Sequence, residues 1–160
     1  MQRTLATIPV AAMLTLAGQL FAGGFWLQLG NPEASGDGRA KNAVLTVKAV
    51  GCHNPEAASV TATAIGGSNG ERRSIPLRLE RLSEPGLFAL TRQWPATGRW
   101  VVQLVGRNTV EKNTEIFTYA LVGDGPGGVD RSRAKFSAHA FQDADIDAML
   151  AGAKVLAAGK

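Results

Sequence analysis

From residue 44 onward, apolar and polar positions alternate in short runs broken by turn residues at nearly even spacing. That rhythm is the one expected of antiparallel sandwiches and barrels. The runs cover residues 44–50, 59–65, 74–82, 88–94, 99–106 and 114–122, and all are rich in Val, Thr, Leu, Ile and aromatics. Successive side chains of a strand point to opposite sides, so alternation assigns the faces. Val60, Ala62 and Ala64 oppose Ser59, Thr61 and Thr63; Leu77 and Leu79 oppose Arg78 and Glu80; Trp100, Val102 and Leu104 oppose Arg99 and Gln103. Each strand has one apolar face to cover, and with no helical period in the interior that cover is a second sheet.

The connections agree. Gly66-Gly67-Ser68-Asn69-Gly70, Ser83-Glu84-Pro85-Gly86 and Pro95-Ala96-Thr97-Gly98 supply glycine for positive φ and, in the last two, proline for a fixed one. Residues 30–42 read as loop, residues 25–29 as an opening strand and residues 129–140 as a last strand. The period changes after that. Ile146, Met149, Leu150, Ala153 and Leu156 recur at helical spacing behind Asp143 as N-cap, with Asp145 and Asp147 at the positive end of the dipole and Lys154 near the other. The expected fold is an all-β, immunoglobulin-like antiparallel sandwich over residues 25–141, followed by a short C-terminal helix and tail over 142–160.

The first residues do not belong to that pattern. Arg3, an apolar stretch over residues 5–20, and the small residues Ala22, Gly23 and Gly24 have the three-part layout of a secretory leader. Thr4 borders the stretch and Thr7, Pro9, Thr15 and Gln19 interrupt it, so it falls short of the roughly 20 apolar residues a spanning helix needs. Residues 1–24 are therefore expected to be a cleaved signal peptide, which makes the mature chain periplasmic or secreted, with no stable membrane span. The formal charge is +4, and the leader holds only Arg3 of it. Arg72, Arg73, Arg78, Arg81, Arg92, Arg99 and Arg107 cluster in sequence, but an exported chain does not meet nucleic acid, and solvated strand faces account for them.

Most chemical motifs dissolve on inspection. Gly66-Gly67-Ser68-Asn69-Gly70 matches the G-x-S-x-G of α/β-hydrolases, but that motif needs a strand-to-helix turn and strands flank it on both sides. Gly123-Asp124-Gly125-Pro126-Gly127-Gly128 has dinucleotide-loop spacing without the helix whose N–H groups would hold a pyrophosphate. Asp143-Ala144-Asp145-Ile146-Asp147 starts like a calcium loop, yet Ala148 and Lys154 stand where glycine and a bidentate acid are required. Cys52-His53 survives, because thiolate and imidazole together suit copper or zinc. Further ligands could come from His139, Glu56 or Asp130, though no spacing selects them. The alternative is a turn at Asn54-Pro55 with Cys52 partly buried.

The order Gly23-Gly24-Phe25-Trp26, then Leu45-Thr46-Val47-Lys48-Ala49, then Gly86-Leu87-Phe88-Ala89-Leu90 leading into Trp94-Pro95-Ala96-Thr97-Gly98-Arg99-Trp100 resembles exported bacterial Ig-like domains of the YtkA-like and carboxypeptidase-regulatory-like kind. The resemblance covers roughly residues 23–106. It implies a non-catalytic extracytoplasmic sandwich, in some members associated with copper or respiratory-oxidase proteins. Met-rich and paired-His copper motifs are missing here, and residues 124–160 have no counterpart. The expected function is a non-catalytic accessory or binding module of the cell envelope that contacts a protein or surface glycan through a sheet face or corner loops. The alternative is a periplasmic copper- or zinc-handling protein using Cys52 and His53.

Overall fold

The computed structural model describes residues 24–68, 71–110, 114–123 and 128–152, so all but the last residue of the signal peptide expected over 1–24, and the end of the tail from 153, lie outside the described residues. Two antiparallel sheets face each other. The first contains β1 (Trp26–Gly30), β2 (Ala43–Val50), β6 (Leu87–Thr91) and β5 (Leu79–Arg81), in that order; the second contains β4 (Arg73–Leu77), β3 (Ala58–Gly67), β7 (Arg99–Asn108), β8 (Thr114–Val122) and β9 (Val129–Ser137). In chain order these reproduce the A-B-E-D and C′-C-F-G sheets of immunoglobulin domains, with β9 added beside the last strand. The sandwich is the architecture the alternation requires, and α1 (Asp143–Ala151) is the one α-helix among the described residues.

Between the sheets, Leu27, Leu45, Val47 and Leu90 from one meet Trp100, Val102 and Leu104 from the other, all fully buried. Burial of each such side chain is worth roughly 1.5–3 kcal/mol. Trp100 is the largest of them, and its indole N–H donates to the Thr97 carbonyl at 2.8 Å, which removes the cost of burying a polar tip. Antibody domains instead carry their core tryptophan on strand C against an inter-sheet disulfide, which a chain with one cysteine cannot form.

Part of each sheet's outer face is also covered. On the β7–β8 side, Ile65, Val101, Tyr119 and Leu121 lie under Ile146 and Met149 of α1. The Tyr119 ring stacks on Phe141 with centroids 4.1 Å apart, and its hydroxyl accepts from the Phe141 N–H at 2.7 Å and from Gln103 Nε2 at 2.8 Å. Arg72 donates to the carboxylates of Asp143 and Asp147 from the β3–β4 side. On the other sheet, two 3-10 turns, Pro32–Ser35 and Gly38–Ala40, lay Ala40 over Leu82, Leu87 and Ala89. The Asp37 carboxylate fastens this segment: it accepts from the Arg39 backbone N–H, from Arg39 Nε and Nη2, and from the Ser83 N–H, while Arg39 Nη1 donates to the Arg81 carbonyl.

Three boundaries depart from the alternation. The run over 74–82 is not one strand, because the chain changes sheets at Arg78, and Gln93 takes both its N–H and its carbonyl at 2.9 and 2.8 Å in place of ladder partners. Leu77 and Leu79 still both face inward, each from a different sheet. The run over 88–94 ends at Thr91, and Trp94 enters the core from the following loop. The helix is capped one residue early, at Gln142, whose N–H donates to the Asp145 carboxylate; Asp143 is its first residue, while Ala153, Lys154 and Leu156 lie outside the described residues.

Candidate functional site

One end of the sandwich gathers the connections that follow β2, β5 and β7. Register fixes this: Trp26 pairs with Val50, while Ala58 pairs with Asn108 and Asn108 with Thr114. A Cβ on Gly106 would meet Leu27 and Phe25, so the start of β1 lies across from the same end of β7. Two large apolar side chains stand exposed there, Trp26 at 45% and Val110 at 66%.

The Trp26 indole has a prepared seat. It leaves the outer face of its sheet, since Phe25 and Leu27 turn inward, and it rests beside Gly51. Gly51 adopts φ +76°, where a side chain is strained, and a Cβ would lie 2.1 Å from the Gly24 carbonyl and 3.2 Å from the indole Cδ1. Along the same face, Gln28 pairs with Lys48, and Lys48 donates to Glu84 in the β5–β6 turn. That turn is held to the 51–57 connection at Gly86, φ +72°, where a Cβ would strike Pro55. Each glycine thus permits a close approach that any other residue would prevent.

Cys52 and His53 follow Gly51 directly. Cys52 is half-buried against the core and His53 is exposed; the Asn54 side chain accepts from the Ala57 N–H and opens the 3-10 turn Pro55–Ala57, which contains Glu56. His139 is on the β9–α1 connection, its backbone N–H donating to Ser137 Oγ. Asp130 on β9 accepts from Ser132 Oγ at 2.6 Å and Arg133 Nε at 2.7 Å, which holds its carboxyl down to about 2. Among the described residues, no three His, Cys, Asp or Glu side chains form a group that could hold a metal ion. Cys52 and His53 therefore do not share such a group with Glu56, Asp130 or His139: β9 is the far edge of the second sheet, and the 51–57 connection crosses between sheets.

The other motifs occupy structural places. Ser68 is exposed at the β3–β4 turn, whose Asn69 and Gly70 lie outside the described residues. The glycines from Gly123 to Gly128 join β8 to β9, with 124–127 outside the described residues, and a strand follows rather than a helix. The arginines disperse: Arg72 faces α1, Arg73 lies over the Trp100 ring, Arg81 over Phe88, Arg92 donates to the Pro95 carbonyl, and Arg107 pairs with Glu115. A cleft of about 610 Å³ between the 3-10 segment and β9 is lined by Glu33, Asp37, Lys41 and Arg131 among others. Its Asp37 carboxylate is already committed to Arg39 and Ser83, which keep its pKa well below the ordinary range. No protein-family model, curated protein or solved structure matches this chain. No helix among the described residues is long and apolar enough to cross a membrane.

Sequence reasoning did not find Trp26. Its run, Phe25-Trp26-Leu27-Gln28-Leu29, offers an aromatic to either face, and only the pairing with β2 decides which is outward.

Proposed function

We propose that this chain is an exported, non-catalytic binding module of the cell envelope, which meets its partner with the end of the sandwich that carries Trp26, the 51–57 connection and Val110. The carrying observation is an exposed indole seated on a glycine, at the end where immunoglobulin-type domains place their recognition loops. Fold-level likeness alone does not assign function, so the weight rests on Trp26 and Val110, which are large apolar groups in water. Export is read from the layout around Arg3, residues 5–20 and Ala22. A non-catalytic role is supported by the place of Ser68 in an exposed hairpin turn. Kinship with YtkA-like and carboxypeptidase-regulatory-like domains is part of the same proposal. It rests on the stretch from Gly86 to Trp100 together with the sandwich.

The test is retention of the purified protein on an isolated envelope fraction. Trp26→Ala should lower retention about tenfold, and Val110→Asp should weaken it too, with the thermal midpoint of each near that of the parent. Parental retention in both variants would refute the assignment of this end. Stoichiometric copper or zinc in the purified protein would favour the metal-handling role of Cys52 and His53 instead.

A further inference from the structure

The outer face of the first sheet, beside the loops, carries more than an exposed ring. Trp26, Gln28, Lys48 and Val50 form two facing pairs on β1 and β2, and Glu84 reaches in from the β5–β6 turn to accept from Lys48. Trp26 and Gln28 follow one another on a single face of β1, with Cα atoms about 6.8 Å apart. The indole Cδ1 edge lies close beside Gly51, where a Cβ would stand 3.2 Å away, and 45% of Trp26 remains open to solvent. It is an exposed apolar surface on the strand, and on the same face stand an amide, an ammonium and a carboxylate.

The geometry points to a carbohydrate subsite here, for a neutral pyranose of a surface glycan. The inference rests on the binding reading above and names its ligand class. An indole face offers an apolar, weakly negative surface to the polarised C–H groups on one side of a sugar ring. The rim supplies what hydroxyls need: Gln28 donates and accepts, Lys48 donates and Glu84 accepts. Charge selects among polar ligands. Lys48 is neutralised by Glu84 and Gln28 has no charge, so the platform is balanced and complements an uncharged polyol rather than a polyanion or a cationic peptide. A protein partner of comparable affinity calls for several apolar anchors ringed by contacts that exclude water. Within this face, Trp26 is the one large apolar side chain that stands exposed.

Fluorescence tests this directly, because Trp94 and Trp100 are buried at 4% and 0% exposure and acrylamide quenching of the native chain reports mainly on Trp26. The chain as recovered from the cell is titrated with cellohexaose, chitohexaose and maltohexaose, and in parallel with oligogalacturonate. At least one neutral oligosaccharide should lower the quenching constant about twofold or more, and Gln28→Ala should weaken that ligand about threefold or more, as expected for loss of a single hydrogen bond. Calorimetry with Trp26→Ala should show about a tenfold loss or no binding, and Trp26→Phe should recover part of it. Stronger protection by oligogalacturonate than by any neutral sugar would overturn the inference. So would Trp26-dependent envelope retention that disappears after protease treatment of the envelope, since the partner would then be a protein. Those results leave the binding role of this end standing, whereas retention indifferent to both Trp26→Ala and Val110→Asp removes both.

Discussion

The three tryptophans occupy three environments, and each has its own consequence. Trp100 is fully buried, with its N–H satisfied by Thr97, so Trp100→Ala removes a large apolar volume and leaves a carbonyl without its donor. The expected loss is about 3–5 kcal/mol in a denaturant melt. Its place was legible in the sequence, because Val102 and Leu104 share its parity. Trp94 was read as the end of a strand, but it reaches the core from a loop, and period-two alternation cannot show that. Trp26 was legible only as an aromatic in an opening strand of uncertain register. Asp130 gives a second test at this scale. The Ser132 hydroxyl contributes most to its low value of about 2, with Arg133 next, so its carboxyl resonance should titrate near 2, and Ser132→Ala should move the midpoint up toward the usual 3.9 or so. Its folded value is below the unfolded one, so whatever it adds to stability is present above about pH 4 and fades as the pH falls toward 2. The group is half-buried at the surface, where solvent screens it, and the effect on overall stability should be small.

At the scale of elements, local pattern and tertiary pairing part company in particular places. The alternation of Ile75, Leu77 and Leu79 gave no sign that the chain changes sheets at Arg78, because Leu77 and Leu79 keep the same parity on either side of the crossing. The device that permits it, the Gln93 amide on the Arg78 backbone, lies fifteen residues away and has no local signature. The helix was legible from Ile146, Met149 and Leu150, but its docking through Tyr119, Phe141 and Arg72 was not, since those residues come from three other segments. Tyr119→Phe should cost roughly 1–3 kcal/mol, because it leaves the Phe141 N–H and the Gln103 amide without their acceptor. A guanidinium melt measures it, and faster amide exchange at Phe141 would place the damage at the helix. The Asp37 clamp makes a pH-dependent counterpart. Arg39 is the first cause of its lowered pKa, so the clamp is intact above the unfolded carboxylate value of about 3.9 and loosens only as the pH drops through the lower folded value. Asp37→Asn should therefore speed exchange at the Ser83 and Arg39 amides at neutral pH and flatten the acid side of the stability profile.

For the molecule as a whole, the sandwich was readable because each strand carries its own apolar face and its own turn residues, so the pattern survives without knowledge of neighbours. The candidate site was not, because it exists only once β1 pairs with β2 and the 51–57 connection closes against the β5–β6 turn at Gly86 and Pro55. Cys52-His53 was the one pair that sequence chemistry singled out, and the structure places it one residue beyond the Gly51 that seats Trp26. The central claim is that this end of the sandwich is the contact surface. The most direct measurement is hydroxyl-radical footprinting of the chain with and without isolated envelope material, read residue by residue. Protection should concentrate on Trp26, Cys52, His53, Pro85 and Val110, with Phe136, exposed on β9, oxidised equally in both samples. Protection at Phe136 or along the cleft by Arg131, with Trp26 and Val110 as reactive as before, would contradict the account.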